Sequence, residues 1–150
     1  GLWQKSRPAE RGAFPPERVF RRLIHSQTGA LGDLAQEVEA FCDRWDASPR
    51  QRYLVDLTVE EIGVAIISKA FAFQEDGYIQ ITLIACEDGG FQLYVRDNAA
   101  GFDPFSLETG KVGEDKEFDM DAIGMLMVKK QAKRFFYRQY QGFNTLVVSM

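Results

Sequence analysis

The sequence predicts an α+β domain, a two-layer sandwich with helices packed on one face of a mixed, mainly antiparallel sheet. Three observations predict it. Residues 78–87 and 91–97 alternate apolar and polar side chains around the turn formers Asp88, Gly89 and Gly90, and so read as a hairpin. Residues 31–45 carry apolar side chains at 31, 34, 35, 38, 41, 42 and 45, a helical period. A second hairpin closes the chain around Gln141 and Gly142. Strands joined by hairpins, with helices between them, build this class of fold.

The elements follow in order. Residues 1–16 are rich in Pro, Gly and Arg and read as a linker or flexible lead-in, leaving 17–150 as the domain. The chain has no initiator Met, as a segment of a longer polypeptide would show. Residues 17–24 interleave β-branched and aromatic residues with arginines, and predict a first strand. After the helix over 31–45, Ser48 precedes Pro49, an N-cap followed by proline at the first helical position. A second helix of roughly six turns is expected from there, ending near residue 73. Residues 98–120 form a long loop with Gly, Pro and many charges, and loops of that length are usually functional, often lids. Residues 121–135 predict a third helix, and Met125 and Met127 read as core filler.

Composition narrows the function. Hydrophobic residues make up 45% of the 150 and charged residues 27%, the balance of a soluble domain. The net charge of -4 gives no footprint for nucleic acid. The basic strip over 129–134 reads as a solvated helix face or a partner for the helix dipole. Cys42 and Cys86 sit in apolar patterns, so both are expected as buried free thiols in a cytoplasmic protein. No apolar run approaches the ~20 residues that span a bilayer, and no signal peptide is evident.

Three motifs then fall in a telling order. Glu60-Glu61-Ile62-Gly63-Val64-Ala65 lies on a helix. Arg96-Asp97-Asn98-Ala99-Ala100-Gly101-Phe102-Asp103-Pro104 follows a strand. Ile123-Gly124-Met125-Leu126-Met127 opens a helix, and Tyr137 to Val148 closes the set. The ordered set, covering residues from about 20 to 150, resembles the GHKL superfamily of ATP-binding domains (the Bergerat fold). Within it, the set is most similar to the bacterial anti-sigma-factor serine/threonine kinases.

The resemblance implies roles. The family's helix motif is Glu-x-x-x-Asn, with both residues on one helical face. Glu61 matches the Glu that orients or deprotonates the attacking group, so it is the catalytic candidate. Ala65 stands where the Asn ligates magnesium, and a methyl group has no lone pair for a hard cation. Asp97 matches the Asp that accepts a hydrogen bond from the adenine amino group, and Gly101 matches the last glycine of that loop. Ala99 replaces the first. Gly124 survives from a phosphate-holding Gly-Gly-x-Gly run, of which Asp121 and Ala122 replace the other two. Asp121 equally reads as a helix N-cap. Ser68 and Lys69 match positions lining adenine and ribose. Thr145 matches a position that reaches adenine through water. No metal ligand is assigned. His25, without an acidic neighbour in phosphoacceptor spacing, is not read as one.

The expected cofactors are therefore ATP and Mg2+, with the departures at Ala65, Ala99, Asp121 and Ala122 counting against both. Phosphoryl transfer rests on positioning and on metal neutralisation of the phosphates. An anti-sigma-kinase-like ATP-binding regulatory domain is one expectation. The alternative is an inactive kinase-like module acting through protein contacts, including as the output domain of a longer sensor. The family's partners are sigma factors and antagonist proteins, often contacted by a homodimer.

Overall fold

The computed structural model describes residues 14–74, 76–99, 101, 103–104 and 120–150, with side chains from residue 123 in the last segment. Most of the lead-in (1–13) and most of the expected lid (105–119) lie outside the described residues. A 3-10 turn at Pro16–Arg18 leads into β1, Val19–His25. Helix α1 spans Thr28–Arg44 and α2 spans Pro49–Ala65, continued by a π-helical turn at Ile66–Ala70. Strands β2 (Tyr78–Ala85) and β3 (Phe91–Asp97) form the first hairpin. Helix α3, Met120–Gln131, precedes β4 (Arg134–Tyr140) and β5 (Phe143–Ser149).

The strands lie in the order β1-β2-β3-β5-β4, and every described pairing is antiparallel. The expected α+β architecture is present. Alternation along each strand gives the sheet two unlike faces. Ile79, Ile81 and Leu83 of β2, Leu93 and Val95 of β3, and Leu146 and Val148 of β5 point to one face. There they meet Leu34, Val38 and Phe41 of α1, and Val55, Val59 and Ile62 of α2. Ile81 and Leu83 are wholly buried, so truncating either to alanine would cost about 2–5 kcal/mol.

Local chemistry sets the ends. Ser48 Oγ accepts from Gln51 N at 3.1 Å, and Gln51 Oε1 accepts from Ser48 N at 3.0 Å, a capping box at the start of α2. The expected six-turn helix is shorter in its α-helical part. It ends at Ala65, widens into the π turn, and stops where Ala72 and Phe73 adopt φ 49° and 63°. Phe73 N donates back to Ile67 O at 2.9 Å, closing the C-terminus.

The third helix also ends earlier than residue 135. Lys133 N donates to Ser149 O at 2.8 Å, which draws the chain into the sheet, and the aromatic run from Phe135 continues as β4. Lys129 and Lys130 lie in the last turn of α3, whereas Arg134 belongs to β4. Met125 is buried as expected, but Met127 is exposed, so it does not fill the core. Cys42 is buried, while Cys86 is only half-buried at the end of β2.

Candidate functional site

Because β5 returns beside β3, the last residue of β3 faces the second residue of β5. Asp97 and Asn144 are register partners. Both side chains point to the helix-covered face and are almost fully buried. Asn144 Nδ2 donates to Asp97 Oδ1 at 2.8 Å and to Ala99 O at 2.9 Å. Ala99 N donates to the same Asp97 oxygen at 2.9 Å. Asn144 Oδ1 accepts in turn from Tyr137 Oη–H at 2.9 Å and from Gln139 Nε2 at 3.1 Å. One asparagine thus ties the carboxylate, the loop after β3 and the β4–β5 hairpin together. A buried network with its donors and acceptors matched holds one geometry.

Burial pushes the Asp97 carboxyl above its ordinary pKa, and the bonds from Asn144 and Ala99 pull it back. Asn98 Oδ1 accepts from Tyr78 N at 3.0 Å, which pins the loop to the start of β2. Gly101 lies against the side-chain amide of Gln139, which would have to swing aside to admit a Cβ there.

A second centre lies where α2 meets α3. Glu61 is half-buried, and its carboxylate rests on the backbone of Gly124, the fifth residue of α3. A Cβ at residue 124 would take the space of that carboxylate, so the Glu61 side chain would have to swing aside. Ala65, one turn beyond Glu61, is wholly buried.

Ser68 and Lys69 lie in the π turn that continues α2. Such turns are frequent at functional sites. The Ser68 hydroxyl donates to Val64 O at 2.8 Å, a bond within its own helix, and Lys69 is exposed. Asp121 lies inside α3 as its second residue rather than ahead of it as an N-cap, and its side chain and that of Ala122 are outside the described residues.

Thr145 is placed apart from the rest. It pairs with Arg96, not Asp97, and so faces the opposite side of the sheet. Asn144 is the residue that meets Asp97, and sequence reasoning missed it. The signal was parity: Leu146 and Val148 face the core, so 144 shares their face and 145 does not.

A five-stranded antiparallel sheet with helices on one face has known counterparts. The family model for the histidine kinase-like ATPase domain matches residues 24–150. The chain belongs to the histidine kinase-like ATPase domain family. Among solved structures, this histidine kinase-like ATPase domain is similar to the RsbU and RsbW domains of Rv1364c from Mycobacterium tuberculosis. The TM-score is 0.61 at 11% identity, over 87% of this chain and 31% of that one. It is also similar to the histidine kinase domain of the Erythrobacter litoralis EL346 blue-light activated histidine kinase. There the TM-score is 0.50 at 12% identity, over 82% of this chain and 59% of that one. At these identities the likeness is one of fold. The chain spans about a third of the first structure. No curated protein sequence matches it. No helix among the described residues is long and apolar enough to cross a membrane.

Proposed function

We propose that this domain is an anti-sigma-kinase-like regulatory module that holds the base of an adenine nucleotide at Asp97 and acts through a protein partner, without phosphoryl transfer. The observation that carries the reading is the fixed Asp97 carboxylate. It is buried at the end of a central strand, and both donors, Asn144 Nδ2 and Ala99 N, use Oδ1. Oδ2 is then the oxygen that an exocyclic adenine amine would use. Such a donor also favours the ionised form that burial opposes. The residues here suit the base: Asp97 would accept from it, Asn144 would hold Asp97, and Gly101 would keep the loop close.

The residues do not suit magnesium. The helix face that carries Glu61 offers a buried methyl group one turn on, at Ala65. A hard cation needs oxygen ligands in near-octahedral array. The Glu61 carboxylate also rests on α3 at Gly124, where it opposes a phosphate approaching the same helix. These groups support binding of the base and oppose the chemistry of a serine/threonine kinase or ATPase. In this reading the partners are a sigma factor or an anti-sigma antagonist, met by one domain or by a homodimer. The setting is the cytoplasm, as a free protein or as a segment of a longer one.

Base discrimination is the test. Equilibrium binding of ADP and GDP should favour ADP by about tenfold to a hundredfold, since guanine carries a carbonyl where adenine carries the amine. Asp97→Asn should abolish the preference while the protein stays folded by circular dichroism. Equal affinity for the two nucleotides, or a preference that survives Asp97→Asn, would overturn the assignment.

A further inference from the structure

Helices α1 and α2 pack together on the sheet, and a groove of about 440 Å³ opens to solvent between them. Leu31 of α1 packs on Gly63 of α2, which draws the two helices close. Beside it, Gly32 and Ala35 leave room: a Cβ at residue 32 would have no atom within 4 Å. Val59 and Val64 form the α2 wall, and the buried Val38 lies beneath. Gly32 is exposed, and Ala35 and Val64 are half-buried, so the groove is open. Space of this size takes a small ligand or one long side chain.

The charges in the groove are of one sign. Glu39 of α1 and Asp56 and Glu60 of α2 line it, and no described lining residue is Lys, Arg or His. Asp56 Oδ1 is buried with no donor, and the Glu39 carboxylate lies within hydrogen-bonding reach of the same side chain. Arg52, one turn before Asp56, is held by Asp43 of α1. Two carboxylates that face each other with no donor between them are a place where a cation is missing. Glu39 and Cys42 face Asp56 from α1, and Arg52 and Glu60 from α2. Burial and Glu39 together push the Asp56 carboxyl up to about 6, against the weaker pull of Arg52. A bound cation would favour the ionised form and release that proton.

We propose that this groove takes a lysine or arginine side chain of a protein partner, its aliphatic stem along Ala35 and Val64 and its cationic head beside Glu39, Asp56 and Glu60. Charge complementarity selects that occupant, and the apolar walls suit the stem. Among the described residues no group of three or more His, Cys, Asp and Glu could hold a metal ion, so the cation is an organic one. A second copy docked groove to groove would set carboxylate against carboxylate. A free amine would gain an ion pair open to water, which is weak. A side chain carried on a segment lying along the two helices adds contacts beside the groove. No residue of the groove belongs to the network around Asp97, so the proposal stands apart from nucleotide binding.

The test uses the isotope-labelled protein and three probes: a helical peptide of alanine and leucine that carries arginines, its glutamine counterpart, and n-butylguanidinium. The arginine peptide should shift amide resonances along residues 31–39 and 56–64. Its affinity should rise by about threefold to tenfold between about pH 5 and pH 7, as Asp56 ionises. Asp56→Asn should weaken binding by about fivefold or more and remove the pH dependence. Gly32→Leu, a second route that leaves the charges intact, fills the groove and should weaken binding as well. Its melting temperature should not fall, since a Cβ there meets no neighbour and leucine favours a helix over glycine. The proposal is overturned if the arginine peptide leaves these resonances in place, or if the glutamine peptide binds as tightly. It is also overturned if both variants bind like the parent. Binding of n-butylguanidinium as tight as that of the peptide would overturn it too, since the occupant would then be a free cation.

Discussion

Asn144 Nδ2 lies 2.8 Å from Asp97 Oδ1, and the two residues face each other directly across the β3–β5 ladder. The contact makes Asn144, rather than Thr145, the residue on which Asp97 depends. Asn144→Ala removes one of two donors to a buried carboxylate and frees Tyr137 and Gln139 of their shared acceptor. It should lower stability by about 1–3 kcal/mol in urea unfolding. Thr145→Ala, on the other face, should change it by less than about 1 kcal/mol and leave nucleotide affinity unaltered. Equal effects of the two variants would contradict the assigned faces.

Gly124→Ala reverses an ordinary expectation. Alanine in a helix interior is normally better than glycine by about 1 kcal/mol. Here the added methyl takes the space of the Glu61 carboxylate, which has to swing off α3, so the usual gain should be lost and the variant destabilised by up to about 1 kcal/mol. Glu61→Ala should remove the penalty. A double-mutant cycle by thermal or urea melting reads the coupling, which should exceed about 1 kcal/mol. Independent effects would show that Glu61 does not rest on α3.

Asp56 sets a pH dependence. Its carboxyl is pushed up to about 6, first by burial and then by Glu39 beside it. The folded state therefore binds more protons than the unfolded chain between about pH 4 and pH 6, and stability falls as pH rises through that window. Asp56→Asn should flatten this part of the profile and stabilise the protein above pH 6. Water screening at this partly exposed site holds the gain to about 1 kcal/mol. Denaturation midpoints across the range provide the check. A midpoint that rises from pH 4 to pH 6 in the parent and is unchanged in the variant would refute the assignment.

The two thiols should be inert at neutral pH. Burial pushes Cys42 up to about 11, with Asp56 adding to it, and burial also raises Cys86. Little thiolate is present at pH 7.5 in either case. Alkylation followed by mass spectrometry should label the half-buried Cys86 first and Cys42 only on unfolding. Fast labelling of Cys42 in the folded protein would contradict its burial.

The alternating runs that became β2 and β3 were legible because half-buried strands must alternate. Ser48 and Pro49 marked α2 because an N-cap has its own chemistry. The end of α3 was not legible. Residues 129–135 have helix-forming lysines, and what stops the helix is the carbonyl of Ser149, far along the chain. The π turn after Ala65 likewise leaves no mark in an apolar helical pattern. At the site, Asp97, Gly101, Glu61 and Gly124 were picked out by the resemblance of the ordered motifs to the family's. Asn144 was not, because Leu146, Val147 and Val148 are all apolar and blur the parity that separates 144 from 145. A one-residue difference in strand phase moves a side chain to the other face, so the adenine-side candidate was named one position too late for the core face.

The most direct measurement is calorimetric titration of the folded domain with ATP, with and without magnesium, in parallel with Ala65→Asn. Asp97 is proposed to hold the base, while Ala65 supplies no ligand for the metal. ATP should therefore bind the parent with the same affinity in both buffers, to within about twofold. Ala65→Asn should bind more tightly with magnesium than without it. Binding by the parent that tightens about tenfold or more with magnesium would contradict the account, because a metal-supported site would then exist without that asparagine. Undetectable binding of ATP at millimolar concentration in both buffers would remove Asp97 as a nucleotide contact.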